Sequence, residues 1–427
     1  MAINKAADTA TNKSAAKVSS AMNIRELSWV LYDVGNSAFM MLSTAVAPIY
    51  FGSMIAEGDS LVVAWGMAET VVALIVALLM PILGSLADYP KNKKKFFIGS
   101  VGTGFVACMA LSIPSTAMPF LILYIIAAIG LNSSMVFYDA FLVDATDESN
   151  YDSVSTKGYA WGYIGSLVPF IACIVIIFGS EAFGIDKIMG MRISFVITAL
   201  WWGAFAIPLI KNVRQRHMKP KVAHPIVSTF KGLTKTVKSI ANNKHLLFFM
   251  LAFFCYIDGV HTIIKMATSF GTDLGLDSTN LVIALIATQV VAFPSALVFG
   301  RLAKHFGART MLIASTIAYA LITLYAAFFL DSVPEFWIMA ICVGLFQGGI
   351  QALSRSYFGR LIPDKSHSNE YYGFFDIFGK YAAIIGTALL SFFTFATGSA
   401  SIGILSIATL FFLGCLFLVL MPKDNKE

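Results

Sequence analysis

Apolar runs of about 20 residues alternate with short polar segments along most of this 427-residue chain. A helix needs roughly 20 mainly apolar residues to cross a bilayer, because the hydrocarbon core is about 30 Å thick. Prolines interrupt several runs, which membrane helices tolerate because neighbouring groups satisfy the freed carbonyls. The pattern predicts an all-α integral membrane protein with twelve transmembrane helices, at about 27–54, 61–87, 96–114, 118–146, 157–179, 190–210, 246–271, 279–303, 310–330, 335–361, 371–397 and 400–421.

The distribution of basic residues predicts the orientation of these helices. If both termini are cytoplasmic, 26 of the 30 lysines and arginines lie on the cytoplasmic side, as the positive-inside rule requires. The longest polar connection then divides the chain into two bundles. The predicted organisation is a disordered cytoplasmic tail (1–24), a six-helix bundle (25–210), a cytoplasmic linker (211–245), a second six-helix bundle (246–421) and a short tail (422–427).

The linker itself carries a helical pattern. Its apolar residues recur at helical spacing, with lysines elsewhere on the helix, which predicts an amphipathic helix on the inner leaflet, where anionic lipid attracts lysines. A calmodulin-like partner site is a less economical interpretation of the same pattern. The apolar positions are Ile226, Phe230, Leu233, Val237 and Ile240, and the lysines are Lys231, Lys235 and Lys238.

Composition supports the membrane assignment. Hydrophobic residues make up 58% of the chain and charged residues 13%, whereas a soluble domain carries about 25% charged residues. The five cysteines fall in five different apolar runs with no C-x-x-C spacing, so we expect core residues rather than a disulfide framework or a metal site. We expect no cofactor and no nucleic-acid partner.

Two pairs of segments indicate an internal repeat. GSLADYPKNK (Gly84–Lys93) resembles GRLAKHFGAR (Gly300–Arg309), and GYAWGYIG (Gly158–Gly165) resembles GFFDIFGK (Gly373–Lys380). The separation is nearly the same for both pairs, which predicts two parallel six-helix repeats with the substrate path between them.

Ionisable side chains inside the predicted spans are the first candidates for function, since each costs about 2.5–3.5 kcal/mol to insert. Five carboxylates face two lysines, so at least three acids need a proton, a cation, an arginine or a polar substrate. This imbalance favours a proton- or cation-coupled transporter. The residues are Asp33, Glu69, Asp139, Asp258, His261, Lys265, Asp376 and Lys380.

Spacing and depth divide these candidates by role. Asp258, His261 and Lys265 lie on one helical face near mid-membrane, and we expect them to contact substrate or the coupling ion. Gln347 and Gln351 share a face and suit a polar ligand. We assign Lys380 and Glu69 to the same path, although a vestibule lining suits Glu69 equally well. The shallower Asp33, Asn36, Asp139, Arg355 and Asp376 are expected to line the inner cavity or to close an inner gate, and purely structural ion pairs or caps are the alternative.

Several stretches resemble a known family. GSLADYPKNKKK is similar to the loop between helices two and three of the major facilitator superfamily, and this resemblance implies a conformational role for Gly84, Asp88 and Lys91. LSWVLYDVGNSAF (27–39), GYAWGYIGSLVPF (158–170), GGIQALSRSYFGRLIP (348–363) and YYGFFDIFGK (371–380) resemble its vacuole effluxer-like branch. That branch includes fungal vacuolar amino-acid exporters and bacterial permeases, and the chain lacks the long insertions of the fungal members.

These observations predict a secondary transporter for a small polar solute, with an amino acid favoured because acids, lysines and glutamines together suit a zwitterion. A sugar or an organic anion is the alternative substrate. No G-x-x-x-x-G-K-[ST] motif occurs, which disfavours an ATP-driven pump, and neither a membrane enzyme nor a non-transporting sensor has a supporting motif. We expect a monomer in the plasma membrane.

Overall fold

A computed structural model describes residues 22–55, 61–222, 225–273, 275–276 and 278–422. All regular secondary structure in this part of the chain is helical, and the predicted tails lie almost entirely outside it. The first half contains α1 (Ile24–Ala45), α2 (Ala47–Gly52), α3 (Leu61–Ala87), α4 (Asn92–Ala110), α5 (Ala117–Ala140), α6 (Leu142–Ala145), α7 (Tyr151–Phe178) and α8 (Lys187–Asn212). After the linker helix α9 (Pro225–Asn242), the second half contains α10 (Lys244–Asp273), α11 (Ser278–Phe306), α12 (Ala308–Phe329), α13 (Val333–Leu361), α14 (Ser368–Thr397) and α15 (Ala400–Leu420).

Twelve long helices correspond one to one to the twelve predicted spans. Among the described residues, ten segments are long and apolar enough to cross a membrane. The other two spans fall on α4, which begins with a run of lysines, and α14, whose apolar stretch is described for Ile385–Thr397. The starts of α4 and α5 are each followed 216 residues later by the starts of α12 and α13, in keeping with the repeat.

Two predicted spans are divided rather than continuous. The first helix ends at Ala45 and a short helix with Pro48 in its first turn follows, because proline cannot donate the backbone hydrogen bond that would continue α1. The fourth span ends at Ala140, and α6 follows as a separate turn after Phe141. The start of α1 is fixed by a capping box in which Asn23 and Glu26 satisfy each other's backbone amides.

The two halves pack through a few helix pairs. Within the first half α1 lies against α7 and α8, and α4 lies against α5; within the second half α15 lies against α10 and α12. Between the halves α3 contacts α14, and α7 contacts α11 and α13. The face of the bundle where α1 begins, α9 lies and α15 ends is called the linker side below.

The linker helix is present, but its orientation differs from the simple apolar stripe. Thr229 and Thr236 are buried, whereas Val237 is 49% exposed. The inward face carries polar groups where it meets the start of α14, since the Tyr371 hydroxyl donates to Ser239 Oγ at 2.9 Å. Helix α9 therefore buries Thr229 and Thr236 together with Ile240, and it exposes Val237, Lys235 and Lys238.

Candidate functional site

The central feature of the linker side is a buried arginine that joins the two halves. Arg355, on α13, is 1% exposed. Its Nη2 donates to Asp33 Oδ2 at 3.2 Å and its Nη1 donates to Asp139 Oδ1 at 3.1 Å. Its Nε donates to Ser155 Oγ at 2.9 Å. All three acceptors belong to the first half, so one guanidinium holds α1, α5 and α7 against α13.

Aromatic rings enclose this guanidinium. Its carbon lies 4.5 Å from the ring centre of Trp29 and 4.4 Å from that of Tyr159, with Tyr138 at 5.2 Å. Such cation–π contacts strengthen when water is excluded. Gly158 makes room for the arrangement, because a Cβ there would lie 3.1 Å from Arg355 Nη2 and 2.9 Å from the Trp29 ring. We call Arg355, Asp33, Asp139, Ser155 and these three rings the arginine gate.

The acids of the gate are positioned from within the first half. Tyr138 donates its hydroxyl to Asp33 Oδ2 at 2.7 Å. Asn36 is fully buried and donates to Asp33 Oδ1 at 3.3 Å, so it orients the carboxylate rather than facing a cavity. Asp139 is more accessible, with 19% of its side chain exposed.

A second interaction between the halves lies closer to the linker-side surface. Both carboxylate oxygens of Asp152 accept from Arg360 Nη2, at 2.7 and 2.8 Å. The Ser356 hydroxyl also donates to Asp152 Oδ1, at 2.5 Å. Deeper along the same helix pair, the Ser155 hydroxyl donates to the Ala352 carbonyl at 2.7 Å. Helices α7 and α13 are therefore held together by polar contacts over several turns.

The loop after α3 forms a third connection. Asp88 Oδ1 accepts from the Asn369 backbone amide at 2.9 Å, and Oδ2 accepts from the Glu370 amide at 3.2 Å. A carboxylate at a helix start satisfies unpaired amides and matches the helix dipole. Lys219, from the linker, donates to Glu370 Oε2 at 2.5 Å and lies 3.6 Å from Asp88 Oδ2. Asp88 therefore caps the start of α14, and its ionic partner is a lysine of the linker.

Gly84 allows this contact and Lys91 does not take part in it. A Cβ on Gly84 would lie 2.5 Å from the Asn369 carbonyl oxygen. Lys91 is exposed and adopts a left-handed conformation at φ 67. The buried lysine is Lys93, whose Nζ donates to Asp144 Oδ2 at 2.6 Å and to Ser368 Oγ at 3.1 Å.

The same buried aspartate also holds the linker. Asp144 Oδ1 accepts from the backbone amides of Arg216 and His217 at 2.8 and 3.0 Å. We call Gly84, Asp88, Lys93, Asp144, Lys219, Asn369 and Glu370 the latch.

Burial shapes the titration of the latch. Burial raises the pKa of the Asp88 carboxyl to about 6, although the ammonium groups of Lys219 and Lys93 act in the opposite direction. Burial acts in the same direction on Glu370, but hydrogen bonding with His367 and the charge of Lys219 lower its pKa to about 2. The difference follows from geometry, because the Lys219 ammonium is closer to Glu370 than to Asp88.

Asp88, His367 and Glu370 also place potential metal-ligand atoms within 4.8 Å of one another. The Lys219 ammonium already contacts both carboxylates there. The residues present fit an internal cation better than a bound metal.

The mid-membrane candidates are placed differently. Asp258 is fully buried between α10 and α14, where its Oδ1 accepts from the Gly386 backbone amide at 2.9 Å and lies 3.5 Å from Thr262 Oγ1. His261, one turn further along, is partly exposed. The side chains of Lys265 and Lys380 lie outside the described residues. The structure thus brings Asp258 to a contact within the second half.

The remaining candidates lie apart from one another. The Tyr163 hydroxyl donates to Gln351 Oε1 at 3.4 Å, and Gln347 is 8% exposed beside it, so this pair touches the first half. Glu69 is exposed and accepts a hydrogen bond from Tyr124 within the first half. Asp376 is partly buried on α14.

Sequence reasoning missed several residues of the gate and latch. Lys93 and Lys219 look like ordinary cytoplasmic lysines, and Asp144 lies at the end of the predicted fourth span, beside the acids that follow it. The signal for Arg360 was its position inside the 348–363 motif, and Asp152 lies less than two turns before the 158–170 motif. No local pattern marks Asn369, because its contribution is mainly a backbone amide.

The buried ion pairs between the halves, on one side of twelve helices arranged as two six-helix halves, define a polytopic membrane transport protein of the major facilitator fold. The solved structure of the transporter FucP in its outward conformation matches with a TM-score of 0.72 at 14% identity, covering 94% of this chain and 99% of FucP. The proton:xylose symporter XylE matches with a TM-score of 0.71 at 11% identity, covering 93% of this chain and 94% of XylE.

Sequence comparison gives the family. The family model described as "Vacuole effluxer Atg22 like" matches residues 66–150 and 143–427. The chain belongs to this family. It is 43% identical over 411 residues to the MFS-type transporter YxiO of Bacillus subtilis (strain 168), covering 94% of this chain and 96% of that protein. Autophagy-related protein 22 of Botryotinia fuckeliana (strain B05.10) is 25% identical over 285 residues, which are 60% of this chain and 47% of the fungal protein.

Proposed function

We propose that this protein is a secondary active transporter that moves a small polar solute by alternating access, with proton or cation coupling. The observation that carries the proposal is the arginine gate, in which Arg355 of one half is held by Asp33 and Asp139 of the other. A buried ion pair contributes little net stability, because desolvation of the charges offsets their attraction. Such a seam can therefore separate when both partners become hydrated, which is what a reversible gate requires.

The predicted orientation assigns the closed side to the cytoplasm. The lysine and arginine distribution places the linker side inside. The arginine gate and the latch then close the cytoplasmic side. This arrangement corresponds to an outward-open state, and opening of the gate would give the inward-open state. We place the protein in the plasma membrane as a monomer.

The surplus of carboxylates supports coupling. Asp33 and Asp139 share one guanidinium, so the two carboxylates leave one negative charge of the gate uncompensated. A proton, a cation or the ammonium group of a substrate would offset this charge. Asp139 is the more accessible acid and is our first candidate for that role, whereas Asp258 would act by controlling the α10–α14 contact.

An amino acid is the favoured substrate class. Gln351 lies one turn before Arg355 on α13, so the gate acids and the Gln347–Gln351 pair together suit a molecule with an ammonium group and hydrogen-bonding groups. The family's description as a vacuole effluxer supports export. A sugar or organic anion is the second candidate, since proteins of this fold include a proton:xylose symporter and an organic anion transporter.

Transport in proteoliposomes tests both the substrate class and the coupling residues. Counterflow of labelled amino acids, sugars and organic anions, at two pH values, identifies the class. Asp139→Asn and Asp258→Asn are expected to abolish accumulation driven by a pH gradient, and Asp331→Asn, on an exposed loop, is expected to leave it unchanged. Full gradient-driven accumulation by both the Asp139 and the Asp258 variants would refute the coupling assignment. Absence of counterflow for every solute class would refute transport.

A further inference from the structure

A groove follows the outer surface of the first half where α4 and α5 diverge. The two helices approach most closely where a Cβ on Gly130 would lie 2.5 Å from the Gly104 backbone nitrogen. On the linker side of this crossing the groove has a volume of about 220 Å³. Large apolar residues beside it are exposed, with Val106 at 64% and Ile98 at 43%. This surface faces lipid.

Two glycines keep the groove open without serving the packing of the chain. A Cβ on Gly99 or on Gly102 would have no atom within 4 Å. Gly104, by contrast, lies against the Trp202 ring, and a Cβ there would overlap it at 2.2 Å. Gly104 is thus required by the helix crossing, whereas larger residues at 99 and 102 would simply fill the groove.

The linker-side part of the groove is unusually polar for a lipid-facing surface. Ser100, Thr103 and Ser133 line it. Ser133 is 5% exposed, and its hydroxyl has no hydrogen-bond partner within the described part of the chain. Hydroxyls in membrane helices ordinarily bond to the carbonyl one turn earlier, as Ser194 and Thr70 do here. A polar side chain buried in this way favours an external hydrogen-bonding group.

Positive charge surrounds the mouth of the groove. Lys95 lines it and is exposed. Lys94 precedes it in the chain and is partly exposed near the Arg214 guanidinium. Neither lysine has an ion-pair partner among the residues that the structure describes. The mouth therefore carries uncompensated positive charge.

Towards the opposite leaflet the groove becomes apolar. Its continuation is lined by Val106, Ala107, Ala110, Leu123 and Ile126 beside Gly102 and Thr103. From Lys95 to Ala110 the groove extends about 22 Å at 1.5 Å per residue. Positive charge, then hydroxyls, then an apolar channel is the order of groups along a phospholipid: phosphate, glycerol esters, acyl chain.

We propose that this groove binds an anionic glycerophospholipid of the linker-side leaflet. Its phosphate would lie between Lys94 and Lys95, its ester region would bond to Ser133, and one acyl chain would follow Gly102 towards Ala110. The site is separate from the arginine gate and does not depend on the transported substrate.

Native mass spectrometry of the purified full chain in detergent tests this site. Phosphatidylglycerol is expected to be retained more strongly than phosphatidylcholine with the same chains, by about fivefold per lysine near the phosphate. Gly99→Leu with Gly102→Leu fills the groove and is expected to remove this preference. Gly66→Leu is the matched control, because a Cβ there also meets no atom within 4 Å and Gly66 lies on α3, outside the groove.

The outcomes separate the possible ligands. Loss of phosphatidylglycerol binding in the filled-groove variant and in Lys95→Ala, with retention in the Gly66 control, supports the proposal. Equal retention of the lipid by the filled-groove variant would overturn it. Displacement of bound lipid by inorganic phosphate alone would also overturn it, since it would show a phosphate site without a chain channel. Circular dichroism checks that each variant is folded.

Discussion

Replacement of Arg355 by alanine is expected to open the linker side of the protein. In the closed arrangement the guanidinium donates to Asp33, Asp139 and Ser155, and it is 1% exposed. Without it, two carboxylates stay buried between the halves with no cation. In the open arrangement both acids reach water, so the loss is specific to the closed state.

The size of the effect follows from the burial of the pair. Removing one partner of a buried ion pair costs about 3–5 kcal/mol. Because this cost applies only to the closed state, the ratio of open to closed molecules should rise by a factor of about 150 to 5,000. Neutralising the two acids removes the uncompensated charge, so Asp33→Asn with Asp139→Asn should largely restore closure in the Arg355→Ala background.

Cysteine accessibility measures this equilibrium. Ala352 is fully buried between α13 and α7. In a background where the five native cysteines are replaced by alanine, Ala352→Cys should react slowly with a membrane-impermeant maleimide added on the linker side. Addition of Arg355→Ala should accelerate this reaction by about 100-fold or more, as the lower end of this energy range requires.

A matched arginine serves as control. Arg309 also donates several hydrogen bonds, including two to the Leu418 carbonyl at 2.9 and 3.1 Å, but it is partly exposed and this partner belongs to the second half. Arg309→Ala should lower thermal stability without changing the labelling rate at position 352. Unchanged labelling in Arg355→Ala, or equal acceleration by Arg309→Ala, would refute the assignment of Arg355 as the gate.

Three further predictions concern the latch and the second half. The pKa of about 6 for Asp88 lies above its ordinary value near 3.9, so the latched state binds the proton more tightly than the open state does. The relative stability of the latched state therefore falls as pH rises through 6, and the open-to-closed ratio should rise by about ninefold between pH 5 and 7. Asp88→Asn should remove this part of the pH dependence in the same labelling assay. Gly84→Ala should favour the open state, because the added Cβ would lie 2.5 Å from the Asn369 carbonyl oxygen; unchanged labelling would contradict this. Gly386→Ala should destabilise the second half by about 1–3 kcal/mol through overpacking, because Asp258 Oδ1 would lie 2.5 Å from the new Cβ. A thermal melt in detergent measures this loss, and an unchanged midpoint would count against the Asp258–Gly386 contact.

The apolar pattern alone was sufficient for the helices. Twelve runs of membrane-spanning length give twelve long helices because a helix is the only open segment that satisfies its own backbone groups in lipid. The ends of the first and fourth helices differ from the predicted ends of those spans. The breaks at Ala45 and Ala140 come from local backbone geometry, which hydropathy does not report. In α9 the buried face includes Thr229 and Thr236 beside Ile240, because the helix packs on a partly polar surface of the bundle, which the periodicity of a single helix cannot show.

The sequence predicted which residues belong to the candidate site, but it did not predict which of them form ion pairs with one another. Asp33, Asp139 and Arg355 stand out in the sequence because ionisable side chains inside a membrane are costly. Their partnership joins positions 322 and 216 residues apart, and nothing local specifies it. Lys93 and Lys219 were indistinguishable from the other basic residues of the linker side, since burial of a lysine depends on which carboxylate the fold brings to it.

The sequence by itself determined that this is a membrane protein with twelve spans and an internal repeat. It also marked the ionisable side chains inside the spans as candidates for function, because a bilayer makes them costly. Those properties depend on residue type and spacing along one helix. Only the tertiary structure decided that Arg355 joins the two halves through Asp33 and Asp139, that Asp88 caps α14 with Lys219 beside it, and that Asp258 lies at a helix contact. Such pairings depend on how the two halves meet, and the free energy of a charged group is set by the neighbours it meets there.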